Sequence, residues 1–230
     1  MIKHVFIDLD DTILDFRKGE RIAINKTFLE IGIEPTEEII QKYLQINNEC
    51  WRAFERGEMT RYQVLHERFE RILPEFAVDF PPEQAQKIYE GFLSKEHDYL
   101  PGGLEMLEQF KKEGKYRLYM ATNGTPEVQK PRIRDTGIAQ YFSKIFISEE
   151  VGYAKPDKRF FEKCFEQIED LKIEETIMVG DSLSSDIGGG INAGILTCHY
   201  NPNGKDYGDV VPNYKIKNLS ELIPLLDGIK

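Results

Sequence analysis

A short strand-like run, His4 to Ile7, ends directly in the acidic stretch Asp8-Leu9-Asp10-Asp11-Thr12, and the remaining strand-like runs gather in the second half of the chain. These are Tyr116 to Ala121, Lys144 to Ser148, Thr176 to Val179, Ile195 to Tyr200 and Tyr214 to Ile216, each rich in β-branched or aromatic residues. Helical patterns separate them. Leu104 to Glu113 is closed by Gly114, and Arg159 to Ile168 follows the start signals Pro156 and Asp157. Strands that alternate with helices predict an α/β fold, a doubly wound parallel sheet covered on both faces, with ligands beyond the carboxyl ends of its strands.

The first strand is separated from its partners by an insertion. From Arg17 to Asp98 the apolar residues fall at helical spacing: Ile22, Ile24, Phe28 and Leu29; Ile39, Ile40, Tyr43, Leu44 and Ile46; Val64, Leu65, Phe69 and Ile72. Pro35, Gly57 and Pro81-Pro82 divide this stretch into four or five expected helices, and Leu100-Pro101-Gly102-Gly103 closes it. The expected organisation is a catalytic core of residues 1–16 and 99–230 with a helical cap of residues 17–98. A cap inserted after the acidic stretch is expected to act as a lid, bending at Asp15-Phe16 and at Asp98 to Pro101.

Four short motifs stand at strand ends. Alternate residues Asp8 and Asp10 turn two carboxylates towards the crevice beyond the first strand, an expensive arrangement unless a cation or proton compensates. The bland alternative is a solvated turn that caps a helix through Asp11 or Thr12. Gly180-Asp181-Ser182-Leu183-Ser184-Ser185-Asp186 follows the strand Thr176 to Val179. Mg²⁺ prefers hard oxygen ligands and keeps several waters, so Asp8, Asp181 and the backbone carbonyl of Asp10 suffice to hold it, with Asp186 acting through water or orienting a ligand. Asp186 could instead only cap the helix expected near Ile187. Thr122-Asn123-Gly124 offers a hydroxyl and backbone N–H groups suited to a phosphoryl oxygen, although T-N-G is also a common turn. Lys155 before Pro156 can neutralise charge around a carboxylate nucleophile, or simply be a surface residue.

Composition removes whole classes of partner. Thirty Lys and Arg against 40 Asp and Glu give a net charge of -10, so no overall field attracts nucleic acid or anionic lipid. No apolar run approaches the ~18 residues of a membrane span, and Asp8 comes too early for a signal peptide, so a cytoplasmic protein is expected. Cys50, Cys164 and Cys198 are odd in number and far apart, which fits small core residues better than a disulfide framework. His4, His66, His97 and His199 lack metal-ligand spacing. Gly188-Gly189-Gly190-Ile191-Asn192-Ala193 matches a loose dinucleotide pattern, but it does not open directly from a strand and reads better as close helix packing.

Together, D-L-D-D-T (8 to 12), T-N-G (122 to 124), K-P (155 to 156) and G-D-S-x-x-x-D (180 to 186) resemble the haloacid dehalogenase superfamily of phosphohydrolases, and the helical insertion resembles that superfamily's small cap. More narrowly, Asp8 to Phe16, Trp51 to Met59, Thr122 to Gln129, Arg132 to Gly137, Ile145 to Pro156 and Gly180 to Gly194 are similar to the bacterial pyrimidine 5'-nucleotidases of that group. The resemblance implies that Asp8 attacks phosphorus to give an aspartyl-phosphate. It implies that Asp10 donates a proton to the leaving oxygen and then deprotonates water. Mg²⁺ is then held by Asp8, Asp10, Asp181 and Asp186, and Lys155 with Thr122 stabilises the transferring phosphoryl group.

The implied partner is a small phosphate monoester, a nucleotide first of all, handled by a monomer or weak homo-oligomer. Alternatives within the family are a sugar-phosphate or phosphoglycolate phosphatase and a phosphomutase such as β-phosphoglucomutase. Trp51, the one tryptophan, is the cap residue suited to stack on a base, although with Phe54 at i+3 it also fits an ordinary core face. Pro131 departs from the helical pattern after Thr125. It is expected to kink that helix but to lie away from the site itself, without effect on the chemistry.

Overall fold

A computed structural model of the chain describes residues 1–76, 78–204 and 209–229. Six strands, β1 His4–Ile7, β2 Arg117–Thr122, β3 Lys144–Ile147, β4 Thr176–Gly180, β5 Leu196–Tyr200 and β6 Tyr214–Ile216, form one sheet in the order β3-β2-β1-β4-β5-β6. Every neighbouring pair is parallel. All six lie within one residue of the runs expected from sequence.

The chain winds from β1 outwards to β2 and β3, then crosses back to β4 on the other side of β1. The strand order therefore reverses between β1 and β4, which is where doubly wound sheets leave a crevice. Ile7 lies beside Met120 of β2 and Val179 of β4, so Asp8, Ala121 and Gly180 come level at the carboxyl ends of three adjacent strands.

Alternation along β1 builds the two faces. Val5 and Ile7 pack with Leu107 and Phe110 of α5 (Gly103–Glu113), Ile133 of α6 (Pro126–Thr136), and Leu222 and Leu226 of α10 (Leu222–Gly228). Phe6 points the other way, into Phe160, Phe161 and Cys164 of α8 (Lys158–Phe165). Between them in chain order come α7, the single turn Ser148–Val151, and later α9, Gly188–Asn192. A Cβ on Gly190 would lie 2.6 Å from Thr197 Cγ2 and 3.2 Å from Met178 Cβ, so the glycine run lets α9 sit against β4 and β5. The three cysteines are free and buried.

Backbone contacts divide the chain into two compact units, Met1–Asp15 with His97–Lys230, and Phe16–Glu96. The second unit is built from α1 Phe16–Glu30, α2 Glu37–Glu55, α3 Arg61–Ile72 and α4 Pro82–Leu93, α1 packing on α4 and α2 on α3. Thr36 caps α2 through the Ile39 N–H, and Thr60 with Gln63 forms a capping box on α3. Phe28, Tyr43, Phe69 and Tyr89 form its aromatic centre. Where the chain leaves and re-enters the first unit, its two connectors are hydrogen-bonded: the Asp15 N–H donates to Asp98 O at 2.8 Å and the Leu100 N–H to Ile13 O at 2.9 Å.

Candidate active site

The first strand ends where the backbone must turn. Asp8 still belongs to the sheet, its N–H donating to Val179 O at 3.0 Å, but Asp11 adopts φ 54°, a left-handed conformation that short acidic side chains tolerate. Thr12 is buried and its hydroxyl accepts from the Asp181 N–H at 3.1 Å, so it anchors the loop after β4 rather than capping a helix. His199 on β5 supports the same loop, with Nε2 2.9 Å from Asp181 O. The acidic segments after β1 and β4 are thereby tied together.

Lys155 is a core residue, 1% exposed. Its ammonium donates to Asp8 Oδ1 at 2.7 Å, Asp186 Oδ1 at 2.6 Å and Ala121 O at 2.5 Å. Those three acceptors use all three ammonium hydrogens. In this arrangement Lys155 places its charge on Asp8 and Asp186, as expected of a lysine that neutralises charge around the nucleophile. Asn123 holds the lysine's backbone from both sides: Nδ2 donates to Lys155 O at 2.8 Å, and Oδ1 accepts from Lys155 N at 3.0 Å. Asn123 Nδ2 also donates to Ser185 Oγ at 3.2 Å, so its side chain ties Lys155 to the turn that carries Asp186.

Asp186 does not cap a helix. It lies in a single π turn, Leu183–Ile187, whose N-terminal hydrogen bond is made by Ser182 to the Ser185 N–H. The Asp186 carboxylate instead bridges Lys155 and the Ser182 N–H, at 2.6 and 3.0 Å. A Cβ on Gly180 would lie 2.1 Å from Asp186 Oδ2, so only glycine at that position lets the carboxylate in. Carboxylate oxygens of Asp8, Asp181 and Asp186 all lie within 4.8 Å of one another.

Burial pushes the Asp8 carboxyl up to about 8, with Asp186 and Asp10 adding like charge, although Lys155 opposes the shift. Burial also works against the charge on Lys155, but its pairs with Asp186 and Asp8 outweigh that and hold the ammonium above its ordinary range. The single ammonium thus offsets only part of the burial and like-charge cost of ionising Asp8. Three convergent carboxylates that need more positive charge, all offering oxygen, make a donor set that fits Mg²⁺.

The side chain of Asp10 faces other partners. Its Oδ2 accepts from Gln129 Nε2 and its Oδ1 from Arg132 Nη1, both at 2.6 Å. It is therefore not among the three carboxylates that converge, and only its backbone carbonyl remains from the expected metal contact. Gln129 and Arg132 lie on α6, a helix continuous through Pro131, so the residues on either side of the proline do bear on the site. The helix buries Val128, Gln129, Arg132 and Ile133 as one stripe, and its two polar members turn to Asp10. Two polar residues within a buried helical stripe are the signal from which they were legible.

Thr122, at the end of β2, is buried, and its hydroxyl oxygen accepts from the Gly124 N–H at 3.1 Å and from Gln129 Nε2 at 2.9 Å. With two donors on its oxygen, what this hydroxyl has to offer an incoming group is its proton, the role suited to a phosphoryl oxygen. Gly124 completes T-N-G by leaving room: a Cβ there would lie 2.2 Å from Gln129 Nε2. In the helical unit Trp51 is half-buried on α2, edge-on to Phe54 at 5.7 Å between ring centroids, and the Arg61 guanidinium lies over the same Phe54 ring.

A parallel sheet with an acidic cluster and a buried lysine at its switch point is a doubly wound α/β protein with its ligand site beyond the strand ends. The chain belongs to the haloacid dehalogenase-like hydrolase family, which matches residues 2–194. It is 37% identical over 224 residues to the HAD-hydrolase YfnB of Bacillus subtilis, covering 97% of this chain and 94% of that one. The solved structure of YfnB, bound to magnesium, gives a TM-score of 0.93 at 36% identity, over 98% of this chain and 99% of that one. Pyrimidine 5'-nucleotidase PynA of Streptococcus pneumoniae is 33% identical, over 98% of this chain and 95% of that one. Pyrimidine 5'-nucleotidase YjjG of Escherichia coli is 32% identical over 96% of each. Among the described residues no helix is long and apolar enough to cross a membrane.

Proposed function

We propose that this chain is a Mg²⁺-dependent phosphatase that hydrolyses phosphate monoesters through an aspartyl-phosphate on Asp8, with pyrimidine nucleoside monophosphates as its substrates. The observation that carries this reading is the placement of Asp8 against Lys155 and within one oxygen cluster with Asp181 and Asp186, with a second acid, Asp10, two residues on. Asp8, Asp181, Asp186 and the Asp10 carbonyl would hold Mg²⁺, which supplies positive charge against the anionic ester and keeps the nucleophile ionised.

A carboxylate oxygen of Asp8 attacks phosphorus as the bond from phosphorus to the ester oxygen breaks. Asp10 gives its proton to that oxygen, so the alcohol leaves neutral. Asp10, now a carboxylate, takes a proton from water as the water oxygen attacks phosphorus and the bond from phosphorus to the Asp8 oxygen breaks; inorganic phosphate leaves, with Asp8 again a carboxylate and Asp10 again protonated. Thr122 donates its hydroxyl proton to a phosphoryl oxygen, its oxygen held by the Gly124 N–H, while Lys155 fixes Asp8.

Support for the nucleotide part comes from PynA and YjjG, both named pyrimidine 5'-nucleotidases. Trp51, half-buried on α2, is our candidate for stacking on the base. The test is release of inorganic phosphate from a panel of nucleotides, sugar phosphates and phosphoglycolate, with and without a chelator, by the wild type and Asp8→Asn. Preference for UMP and CMP, lost in both controls, is the expected result. Preference for a sugar phosphate would move the substrate assignment, and activity that survives chelator and Asp8→Asn would overturn the mechanism.

A further inference from the structure

We infer that Arg132 and Gln129 are positioning residues that aim the Asp10 carboxyl at the leaving-group oxygen, which makes them determinants of hydrolysis for esters of unactivated alcohols. The inference rests on the phosphatase reading above and concerns two residues on a helix that contributes no nucleophile or expected metal ligand.

The three side chains form a closed ring of hydrogen bonds. Arg132 Nη1 donates to Asp10 Oδ1 at 2.6 Å and to Gln129 Oε1 at 2.7 Å, and Gln129 Nε2 donates to Asp10 Oδ2 at 2.6 Å and to Thr122 Oγ1 at 2.9 Å. Both hydrogens on each of these nitrogens are thus used. The ring fixes which way the Gln129 amide faces: arginine can only donate, so Oε1 must meet it, and the reversed amide would set oxygen against the Asp10 carboxylate. Arg132 and Gln129 are both fully buried, whereas the Asp10 side chain is 23% exposed. A carboxyl that reaches the open end of the sheet is therefore held from below by two immobile donors, each bound to a different oxygen. Lone pairs remain on both Asp10 oxygens, so the clamp leaves room for a proton and an outward hydrogen bond.

Gln129 gives the clamp a second function. Its single amide nitrogen joins Asp10 to Thr122, the hydroxyl placed to meet a phosphoryl oxygen, so the proton donor and the phosphoryl contact are held in one frame. Positioned groups lose rate steeply when displaced by about an ångström. A buried ion pair serving stability alone would need neither the amide link to Thr122 nor the glycine at 124 that makes room for it.

The experiment compares kcat/KM for UMP, whose alcohol needs a proton to leave, with that for p-nitrophenyl phosphate, whose phenolate leaves without one. Because kcat/KM reports steps only through departure of the alcohol, later hydrolysis of the phosphoaspartate does not enter. The ratio of the two values is also independent of how much of a preparation is folded. In Arg132→Met we expect UMP turnover to fall by about a hundredfold, the lower end of what a positioned acid contributes, and p-nitrophenyl phosphate turnover by less than about tenfold. Gln129→Leu should shift the ratio in the same direction, and Arg132→Lys, which keeps one donor on Asp10, should recover part of it. Equal losses on both esters, with the ratio unchanged, would overturn the inference while leaving the phosphatase reading intact. A wild type inactive on both esters would instead defeat that reading.

Discussion

Lys155 and Asp8 meet at 2.7 Å with the lysine side chain 1% and the aspartate side chain 10% exposed, so the ammonium that pairs with the nucleophile is shielded from solvent. The same nitrogen reaches Asp186 and Ala121 O, joining the ends of β1 and β2 to the loop after β4. Replacing Lys155 by Met should leave two buried carboxylates without their cation. The expected cost is about 3–5 kcal/mol of stability, as for other broken buried pairs. Phosphate release should fall by about a hundred- to a thousandfold, the range that single electrostatic groups of this kind contribute. Thermal denaturation and single-turnover assays check the two parts separately.

Asp8 also sets a pH dependence. Burial disfavours its charge and pushes the carboxyl from an ordinary 3.8 up to about 8 in the folded chain. Between those values the folded state binds a proton that the unfolded state has lost, so cation-free protein should lose stability as pH rises from about 4 to 8. Mg²⁺ requires the carboxylate, hence binding releases that proton. Its apparent affinity should rise about tenfold per pH unit below pH 8 and level off above. Titrating Mg²⁺ by thermal shift at several pH values measures the slope, and Asp8→Asn should flatten it.

The strands were legible because β-branched and aromatic runs bounded by turn residues leave little ambiguity, and the alternation with helices implied parallel pairing. Once β1 lies between β2 and β4, residues 8, 122 and 181 must share one end of the sheet. Roles that depend on side-chain direction were not legible. That the Asn123 side chain holds the Lys155 backbone, and that the Thr12 hydroxyl holds Asp181, could not be read from the motifs themselves. Gln129 and Arg132 meet Asp10 across 119 and 122 residues of chain. Local pattern reveals only that two polar residues occupy a buried stripe; what they face is a matter of tertiary contact. The π turn that brings Asp186 back onto Lys155 has no local sequence signature.

The helical unit carries its own buried charge. Arg68 is 3% exposed, donating to Asn47 Oδ1 at 2.7 Å and to Gln86 Oε1 at 2.8 Å, and Asn47 in turn donates to buried Glu20 at 2.5 Å. This network ties α1, α2, α3 and α4 through one residue each. Arg68→Met should loosen all four helices by about 3 kcal/mol or more, because Asn47 and Gln86 lose a donor and Glu20 a nearby cation. Hydrogen exchange should show the loss across residues 16–96, with β1 and β4 protected as in the wild type.

Two glycines predict opposite outcomes from the same substitution. In Gly180→Ala the new Cβ would need the place of the Asp186 carboxylate, 2.1 Å away, and both backbone and side chain there are held by hydrogen bonds. Asp186 must move, so Lys155 loses a partner and the oxygen cluster loses a member. Overpacking of this kind costs about 1–3 kcal/mol. Mg²⁺ affinity should fall by about tenfold or more, as when a group that supports a metal site is displaced. At Gly91, within α4, an added Cβ would meet nothing within 4 Å, and the backbone there has no positive φ. Alanine at that position removes backbone freedom from the unfolded chain and meets no obstacle, so Gly91→Ala should stabilise by about 0.5–1 kcal/mol. Parallel thermal melts of the two variants, with and without Mg²⁺, should move in opposite directions, and only the Gly180 variant should lose the stabilisation that Mg²⁺ confers.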